Sequence, residues 1–486
     1  MKKKESPKEL DAGMIDREQD VAYVLDCVQD ADCCSVVGVS NIGKSTVMRA
    51  LSLPVVRERY LGATAHSHMF VYVDFNLISQ MTEQGFYEVI LRNVLELLDA
   101  RQGGSELRSA IRQAYEKVIA SDSPFLFPLA FEDSLEALVD HQPGMVVLLF
   151  DEFDEVFVDI EPRVFVRLRA LKDRHLSRLC YVAATGHPLA EIRRGRQVGE
   201  FCELFVAHTH HLAPLAKGDA RTLVQRWAVE AEVEFTAKDM DFVLECAGGH
   251  PALLQATCRV LAEAKEEALW RPAAAGYERV REELDSDANV RLECAKLWND
   301  LSSQEQETLI LLLTGQDFVS GLDSLTDKGM IDIPAESRAR LTDVEAASQP
   351  AGDAAIDLPG AADEVQVFAG LFAGFVRRQR LVRRRGARGV RVDVEAGDVW
   401  VDGELAPTLT ELEYKLLLLL YGNLEKICDK YKIVESVWGE DYIDEVDDAR
   451  IEKLVSRLRH KIEPNPDEPR YLITVRGRGY KLASPD

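Results

Sequence analysis

Eight consecutive residues limit what this chain can fold into more than any others. Gly38-Val39-Ser40-Asn41-Ile42-Gly43-Lys44-Ser45 fits G-x-x-x-x-G-K-[ST] without a mismatch. A β-branched run, Cys33 to Val39, leads into it, and a helical stretch, Thr46 to Leu53, follows. Strand, glycine loop and helix in that order form a cradle for phosphate. Glycines let backbone N–H groups wrap the phosphates, and the helix start adds its dipole. Lys44 then reaches the β and γ phosphates, and the Ser45 hydroxyl binds Mg²⁺. The nucleotide-binding candidates here are Gly38, Ser40, Asn41, Ile42, Gly43, Lys44, Ser45 and Thr46. The competing reading, a chance glycine-rich turn, does not account for the strand and helix on either side.

A partner motif follows a hundred residues later. The apolar run Met145 to Phe150 delivers Asp151-Glu152 to its C-terminal end, where open α/β sheets bind their ligands. Asp151 is expected to hold Mg²⁺ with Ser45, and Glu152 to polarise the attacking water as general base. An acid-rich turn at a strand end is the alternative for this Asp-Glu-Phe-Asp-Glu segment. Thr185 closes the next strand and is read equally as a γ-phosphate contact or as a cap. Arg193, Arg194 and Arg196 offer either an arginine finger or a solvated basic patch. The catalytic candidates are therefore Lys44, Glu152, Thr185, Arg193 and Arg194, with Ser45 and Asp151 for metal.

The apolar runs Cys33–Val39, His68–Phe75, Met145–Phe150 and Leu179–Ala184 read as buried parallel strands, and Leu204–Ala207 is a candidate for a fifth. From Pro214 to about Asp285 the pattern is helical. With 486 residues the chain has room for about three domains. Its 58 basic and 83 acidic residues give a net charge of −25, which excludes a protein that coats nucleic acid indiscriminately but permits a local basic face. No apolar run approaches the roughly 20 residues of a membrane span. The nine cysteines form no C-x-x-C pair and read as small hydrophobes in a reducing cytoplasm. Basic residues near Met1 lead into no apolar stretch, so the start reads as a frayed tail rather than a signal peptide.

On these motifs the region from about 13 to 380 resembles the STAND branch of AAA+-like P-loop NTPases, signal-transduction ATPases that act as nucleotide-driven switches. Ile15-Asp16-Arg17-Glu18 is similar to the family's Gly-Arg-Glu motif beside the adenine, with Asp16 in place of glycine. Leu212-Ala213-Pro214-Leu215 resembles the strand-to-lid junction, and Gly248-Gly249-His250-Pro251 the Gly-x-Pro motif of the lid. The resemblance implies ATP/ADP with Mg²⁺ as ligands, a homo-oligomer, and nucleotide contacts from Arg17, His250 and Pro251. His250 is either a β-phosphate sensor or a capping turn residue. Leu301 to Phe375 is similar to the winged helix that family members often carry after the lid, with Ser303 and Gln306 at capping-box spacing and a loop at 336–364. The long repeat arrays that many members use as sensors are missing.

The C-terminal hundred residues carry a different pattern. Thr410 and Glu413 stand at capping-box spacing, and a second helix spans Asp429 to Val437. In the run Asp448 to Glu463, Ile451, Leu454, Val455, Leu458 and Ile462 make a core face, while Arg450, Lys453, Arg457 and Lys461 fall on another, with Arg459 beside them. A helix apolar on one side and basic on the other suits a major groove. Arg470 to Leu482 reads as a glycine-turned hairpin with a basic tip.

This region closely resembles the OmpR/PhoB-type winged-helix output domain. The resemblance implies that Lys453 and Arg457 face bases and Arg459 phosphates. Thr474 and Arg476 then make wing contacts, with Arg450, Lys461, Arg478 and Tyr480 in the same interface on double-stranded DNA. Leu454 stands where a histidine is common, and Ser456 where a basic residue is. From 390 to 486 the net charge is −7, with 14 basic and 21 acidic residues, yet Arg470 to Lys481 contains four basic residues and no acid. A winged helix that binds protein instead of DNA is the alternative.

The expected class is α/β: a parallel-sheet P-loop NTPase core with a helical lid, followed by two winged-helix domains. The expected boundaries are a tail at 1–13, nucleotide-binding domain 14–212, lid 213–288, winged helix 289–380, basic linker 381–389 and DNA-binding domain 390–486. The leading function is an ATP-regulated, DNA-binding transcriptional regulator that hydrolyses slowly and contacts RNA polymerase or an effector protein. Two others stand beside it: a defence-type oligomerising sensor that recruits a separate effector, and a DNA-remodelling ATPase. Eight arginines between Arg377 and Arg391 read either as a DNA contact or as a charged linker continuing a helix.

Overall fold

The computed structural model describes residues 17–100, 105–121, 123–266, 274–313, 322–333, 365–385, 389–392, 399–402, 404–407, 409–438, 448–466, 468–475 and 477–483. The loop at 336–364, Ile15, Asp16 and Arg476 lie outside them. The chain divides into two compact units, residues 1–376 and 377–486.

The first unit is built on five parallel strands: β1 (Cys34–Val37), β2 (Met69–Asp74), β3 (Val146–Asp151), β4 (Leu179–Thr185) and β5 (Thr209–His211). They lie in the order β2-β3-β4-β1-β5, and all four pairings are parallel. Every residue of β3 and β4 is buried, which is why these strands read as unbroken apolar runs instead of alternating ones. Pairing of β1 with β4 puts Val37 opposite Thr185, so the chain leaves β1 for the phosphate loop beside the end of β4.

The sequence misplaces the fifth strand. Leu204–Ala207 is the end of the helix Arg196–Val206, whose buried Val198, Phe201, Cys202 and Phe205 recur at helical spacing, and the strand follows at Thr209–His211. A four-residue apolar run fits both periods, and here the longer amphipathic pattern decides it.

Aromatic rings fill the space between sheet and helices. Phe165 lies against Phe157, Phe201, Phe153 and Phe86 at centroid separations of 4.8, 5.4, 6.1 and 6.4 Å. Phe150 of β3 stacks on Phe153 and Tyr181. No disulfide joins the nine cysteines, all of which are buried. Among the described residues no helix is long and apolar enough to cross a membrane.

Four helices, Lys217–Glu230, Ala237–Ala247, Pro251–Glu266 and Ala274–Ser286, follow the sheet. Then come Ala288–Asn299, Ser303–Leu312, Leu322–Asp327 and an antiparallel pair, β6 (Ile331–Asp332) with β7 (Gln366–Val367). The capping box here is one residue earlier than expected. Ser302 caps the helix, its hydroxyl accepting from Glu305 N–H at 3.3 Å while Glu305 accepts from Ser302 N–H at 2.7 Å. The helix Gly370–Arg385 runs through the first five positions of the expected linker.

The second unit has its own core around Leu416, Leu420, Ile433, Leu458 and Leu472. An antiparallel sheet of β8 (Val390–Val392), β9 (Val399–Val401) and β10 (Glu404–Leu405) precedes the helices Glu411–Tyr421, Lys430–Val437 and Asp448–Ile462. A hairpin of β11 (Leu472–Val475) and β12 (Gly479–Leu482) closes it.

Because Phe165 is fully buried among four rings, Phe165→Ala is expected to cost about 3–5 kcal/mol through lost burial and a cavity. Urea denaturation measures it. A loss under about 1 kcal/mol would mean the neighbouring rings collapse into the space.

Candidate nucleotide site and nucleic-acid interface

The phosphate loop takes its shape from backbone that other residues resist. Asn41 and Gly43 have positive φ, 56° and 114°, and Gly43 caps the helix Lys44–Ser52. Ile42 is sealed inside, while Asn41 and Thr46 are exposed. The Lys44 ammonium donates to Gly38 O at 2.7 Å and Val39 O at 3.2 Å, folding back along the loop.

The structure brings the two separated motifs together. The Ser45 hydroxyl lies 3.2 Å from Asp151 Oδ1. Asp151 is 1% exposed, accepts the Tyr72 hydroxyl at 2.7 Å on its other oxygen, and receives Glu152 N–H at 3.1 Å. A hydroxyl beside a carboxylate is a hard-oxygen donor set that fits Mg²⁺. Glu152 sits in the left-handed region at φ 53°, an uncommon position for a residue with a side chain. Burial, then the neighbouring Asp151 charge, raise its carboxyl above the usual range.

Sequence reading missed Tyr72 and Asp154. Burial raises the Asp154 carboxyl, and its Oδ1 accepts Gly186 N–H at 2.8 Å. Tyr72 is signalled only by its strand: β2 pairs β3, with Asp74 opposite Asp151.

Several candidates take in-chain roles. Arg17, 6% exposed, donates to Ile42 O at 2.5 Å and Ala213 O at 2.7 Å, tying the loop to the lid junction. Thr185, fully buried, donates its hydroxyl to His187 O at 2.7 Å. Arg193 donates to Phe157 O at 2.9 Å and Ile160 O at 2.6 Å, while Arg194 is exposed.

His250 is fully buried, its Nε2 lies 3.0 Å from Ser40 O, and its Nδ1 accepts Leu253 N–H at 3.4 Å. It therefore grips the loop backbone. Pro251 opens the next helix. The glycines ahead of His250 are needed for close approach: a side chain at Gly249 would meet Leu215 O at 2.4 Å, and Leu215 N–H bonds Gly249 O at 2.9 Å.

In the second unit, Arg450, Lys453 and Arg457 are exposed on the helix Asp448–Ile462, while Ile451, Leu454, Val455, Leu458 and Ile462 are buried. Lys461 instead bridges to the buried capping carboxylate of Glu413 at 2.7 Å. Arg459 donates to Leu472 O at 2.7 Å and Thr474 Oγ1 at 2.8 Å, bracing the helix against the hairpin. Glu463 accepts backbone N–H groups of Arg470, Tyr471 and Leu472 at 2.7, 2.9 and 2.6 Å. Tyr480 is corrected from a DNA contact to a core residue at 5% exposure, because its strand pairs with Cys428 and turns the ring inward. Thr474 and Arg478 are exposed.

Burial pushes His250 down to about 4 from its ordinary 6.5. The unfolded chain then binds the extra proton between those values, so this contribution to stability is complete above pH 6.5 and is lost as pH falls through 4. The loss totals about 3 kcal/mol. His250→Gln is expected to flatten that limb of a pH series of urea midpoints. An identical slope in the variant would show that carboxylates alone govern it.

Comparison with known proteins agrees with this division. Residues 11–319 match the family described as Novel STAND NTPase 1, more than half of the chain. Residues 404–482 match Transcriptional regulatory protein, C terminal. The sensory transduction protein RegX3 of Mycolicibacterium smegmatis is 39% identical over 121 residues, covering 22% of this chain and 52% of that protein. An uncharacterized transcriptional regulatory protein, YcbL of Bacillus subtilis, is 41% identical over 91 residues, 19% of this chain and 39% of that one. The chain thus spans about half or less of the length of these curated relatives. Among solved structures, a Walker-type ATPase of Pyrococcus abyssi is similar over 76% of this chain and 98% of its own, at 15% identity and TM-score 0.43. The RstA DNA-binding domain of Klebsiella pneumoniae, solved with its RstA box, is 28% identical over 20% of this chain and 91% of its own, at TM-score 0.18. The chain belongs to the Novel STAND NTPase 1 family and carries an OmpR/PhoB-type module of the transcriptional regulatory protein C-terminal family at its end.

Proposed function

We propose that this chain is an ATP-dependent transcriptional regulator, in which nucleotide at the phosphate loop sets whether the C-terminal module occupies DNA. The observation that carries the reading is the pairing of Ser45 with Asp151 at 3.2 Å beneath a phosphate loop, in one chain with a helix exposing Arg450, Lys453 and Arg457. The first supplies a triphosphate site, the second a groove-facing basic surface.

In this reading Ser45 and Asp151 hold Mg²⁺, which neutralises phosphate charge when bound. Lys44 leaves its loop carbonyls to bind the β and γ phosphates. Glu152 orients the attacking water, its raised carboxyl suiting proton transfer. Arg194 and Arg196, both exposed, are the remaining candidates for a finger reaching another copy of the chain. Turnover is slow because the site acts as a switch, and self-association raises the avidity of a weak DNA module. RNA polymerase or an effector protein is the proposed protein partner, and the cytoplasm the proposed compartment.

Two substitutions separate the steps. Lys44→Ala removes a charged contact of about 1.5–3 kcal/mol, so nucleotide affinity should fall roughly 10- to 100-fold and DNA occupancy should lose its dependence on ATP. Glu152→Gln should keep binding and stop phosphate release. Fluorescence anisotropy on DNA fragments selected with ATP and with ADP is the deciding measurement, since equal DNA affinity under both nucleotides would end the proposed coupling.

The interface is tested independently. Arg457→Ala is expected to weaken DNA binding by about 1–3 kcal/mol and relax one base position. Tyr480→Phe should leave DNA affinity within twofold, as a core residue requires.

A further inference from the structure

Two carboxylates touch the phosphate loop although phosphate binding calls for neither. Asp300 Oδ2 accepts Ser40 N–H at 2.5 Å, and Glu293 Oε2 accepts the Asn41 side-chain amide at 2.6 Å. They are 260 and 252 positions from their partners, on the helix Ala288–Asn299 and the residue that caps it. Neither is placed casually. Glu293 is 14% exposed and its other oxygen is held by Lys296 at 2.8 Å. Asp300 N–H bonds Lys296 O at 3.0 Å, and Leu297, Trp298 and Leu301 around it are buried.

A carboxylate oxygen and a phosphate oxygen are the same kind of acceptor, and one N–H cannot serve both fully. The position along the loop matters as well. The Lys44 ammonium, the group that reaches the β and γ phosphates, rests on the carbonyls of Gly38 and Val39, immediately before Ser40. Asp300 therefore lies at the terminal-phosphate end. The α and β phosphates are served from the other end, by N–H groups at the start of the helix Lys44–Ser52. Lys296 pairs with Glu293, while Arg17 points its guanidinium at Ile42 O, Ala213 O and the Asp20 carboxylate. His250, on the Ser40 carbonyl, is neutral at pH 7.

The geometry points to Asp300 and Glu293 as specificity-determining residues that make the site count phosphates. A nucleoside diphosphate docks with both carboxylates in place, whereas a triphosphate docks only when they leave the loop. This rests on the nucleotide reading above and adds to it the device that distinguishes the two ligands. Linkage makes the effect reciprocal: whatever frees this segment raises triphosphate affinity by the factor with which triphosphate frees the segment.

The test uses the full chain. Asp300→Asn with Glu293→Gln keeps shape and acceptor atoms while removing both charges. Calorimetric titration with Mg·ATP and with Mg·ADP should show the ATP-to-ADP affinity ratio rising at least tenfold in this variant. In the unsubstituted chain, hydrogen exchange across 288–300 should quicken with Mg·ATP and not with Mg·ADP. An affinity ratio within twofold of the original, in a variant that binds both nucleotides, overturns the inference and leaves the nucleotide reading standing. Equal exchange with the two nucleotides in the unsubstituted chain overturns it as well, whether or not the variant folds. If neither protein binds either nucleotide, the nucleotide reading itself falls and takes the inference with it.

Discussion

The backbone of Ser40 to Gly43 is the point on which the first unit converges. A loop that curls to present its N–H groups turns its carbonyls outward, and buried carbonyls need donors. Arg17 serves Ile42 O from before the sheet, and His250 serves Ser40 O from beyond it. Both donors are nearly or fully buried, so the loop is set from outside as much as by its own glycines. Each grip also ties a distant stretch of chain to the place where phosphate would sit. Arg17 extends the tie to Ala213, and the Gly249–Leu215 backbone bond links the junction to the His250 turn. The loop is therefore tied by hydrogen bonds to the segments around Ala213 and His250.

The second unit is organised around a different constraint, the need to hold a helix at a fixed angle to a hairpin. Glu463 gathers three consecutive N–H groups at the start of the hairpin, and Arg459 crosses from the helix to Leu472 O and Thr474. Lys461 is anchored on Glu413, which also completes the Thr410 capping box. These four charged residues fix geometry, while Arg450, Lys453 and Arg457 lie exposed on the helix.

What was legible in the sequence divides along the range of the interactions. Local patterns were readable: the phosphate loop between strand and helix, the acid pair ending β3, the Thr410 cap and the core face of the helix Asp448–Ile462 all follow from spacing. Errors of register came where two periods fit the same residues, as at Leu204–Ala207, or where two polar residues competed as cap, as at Ser302 and Ser303. Residues assigned by type alone fared differently. A basic residue on a helix can equally be a brace, as Arg459 and Lys461 are, and a tyrosine in a hairpin can face inward, as Tyr480 does. Asp300 and Glu293 left no local trace, because nothing near them in sequence marks the loop they meet.

An imidazole usually gives a protein a proton-operated control in the neutral range. Buried away from water and drawn down to about 4, His250 is withdrawn from that duty. The grip it exerts on the loop is thereby insulated from the ordinary acidity swings of a living cell. Through the neutral range the Ser40 carbonyl thereby keeps one unchanging donor.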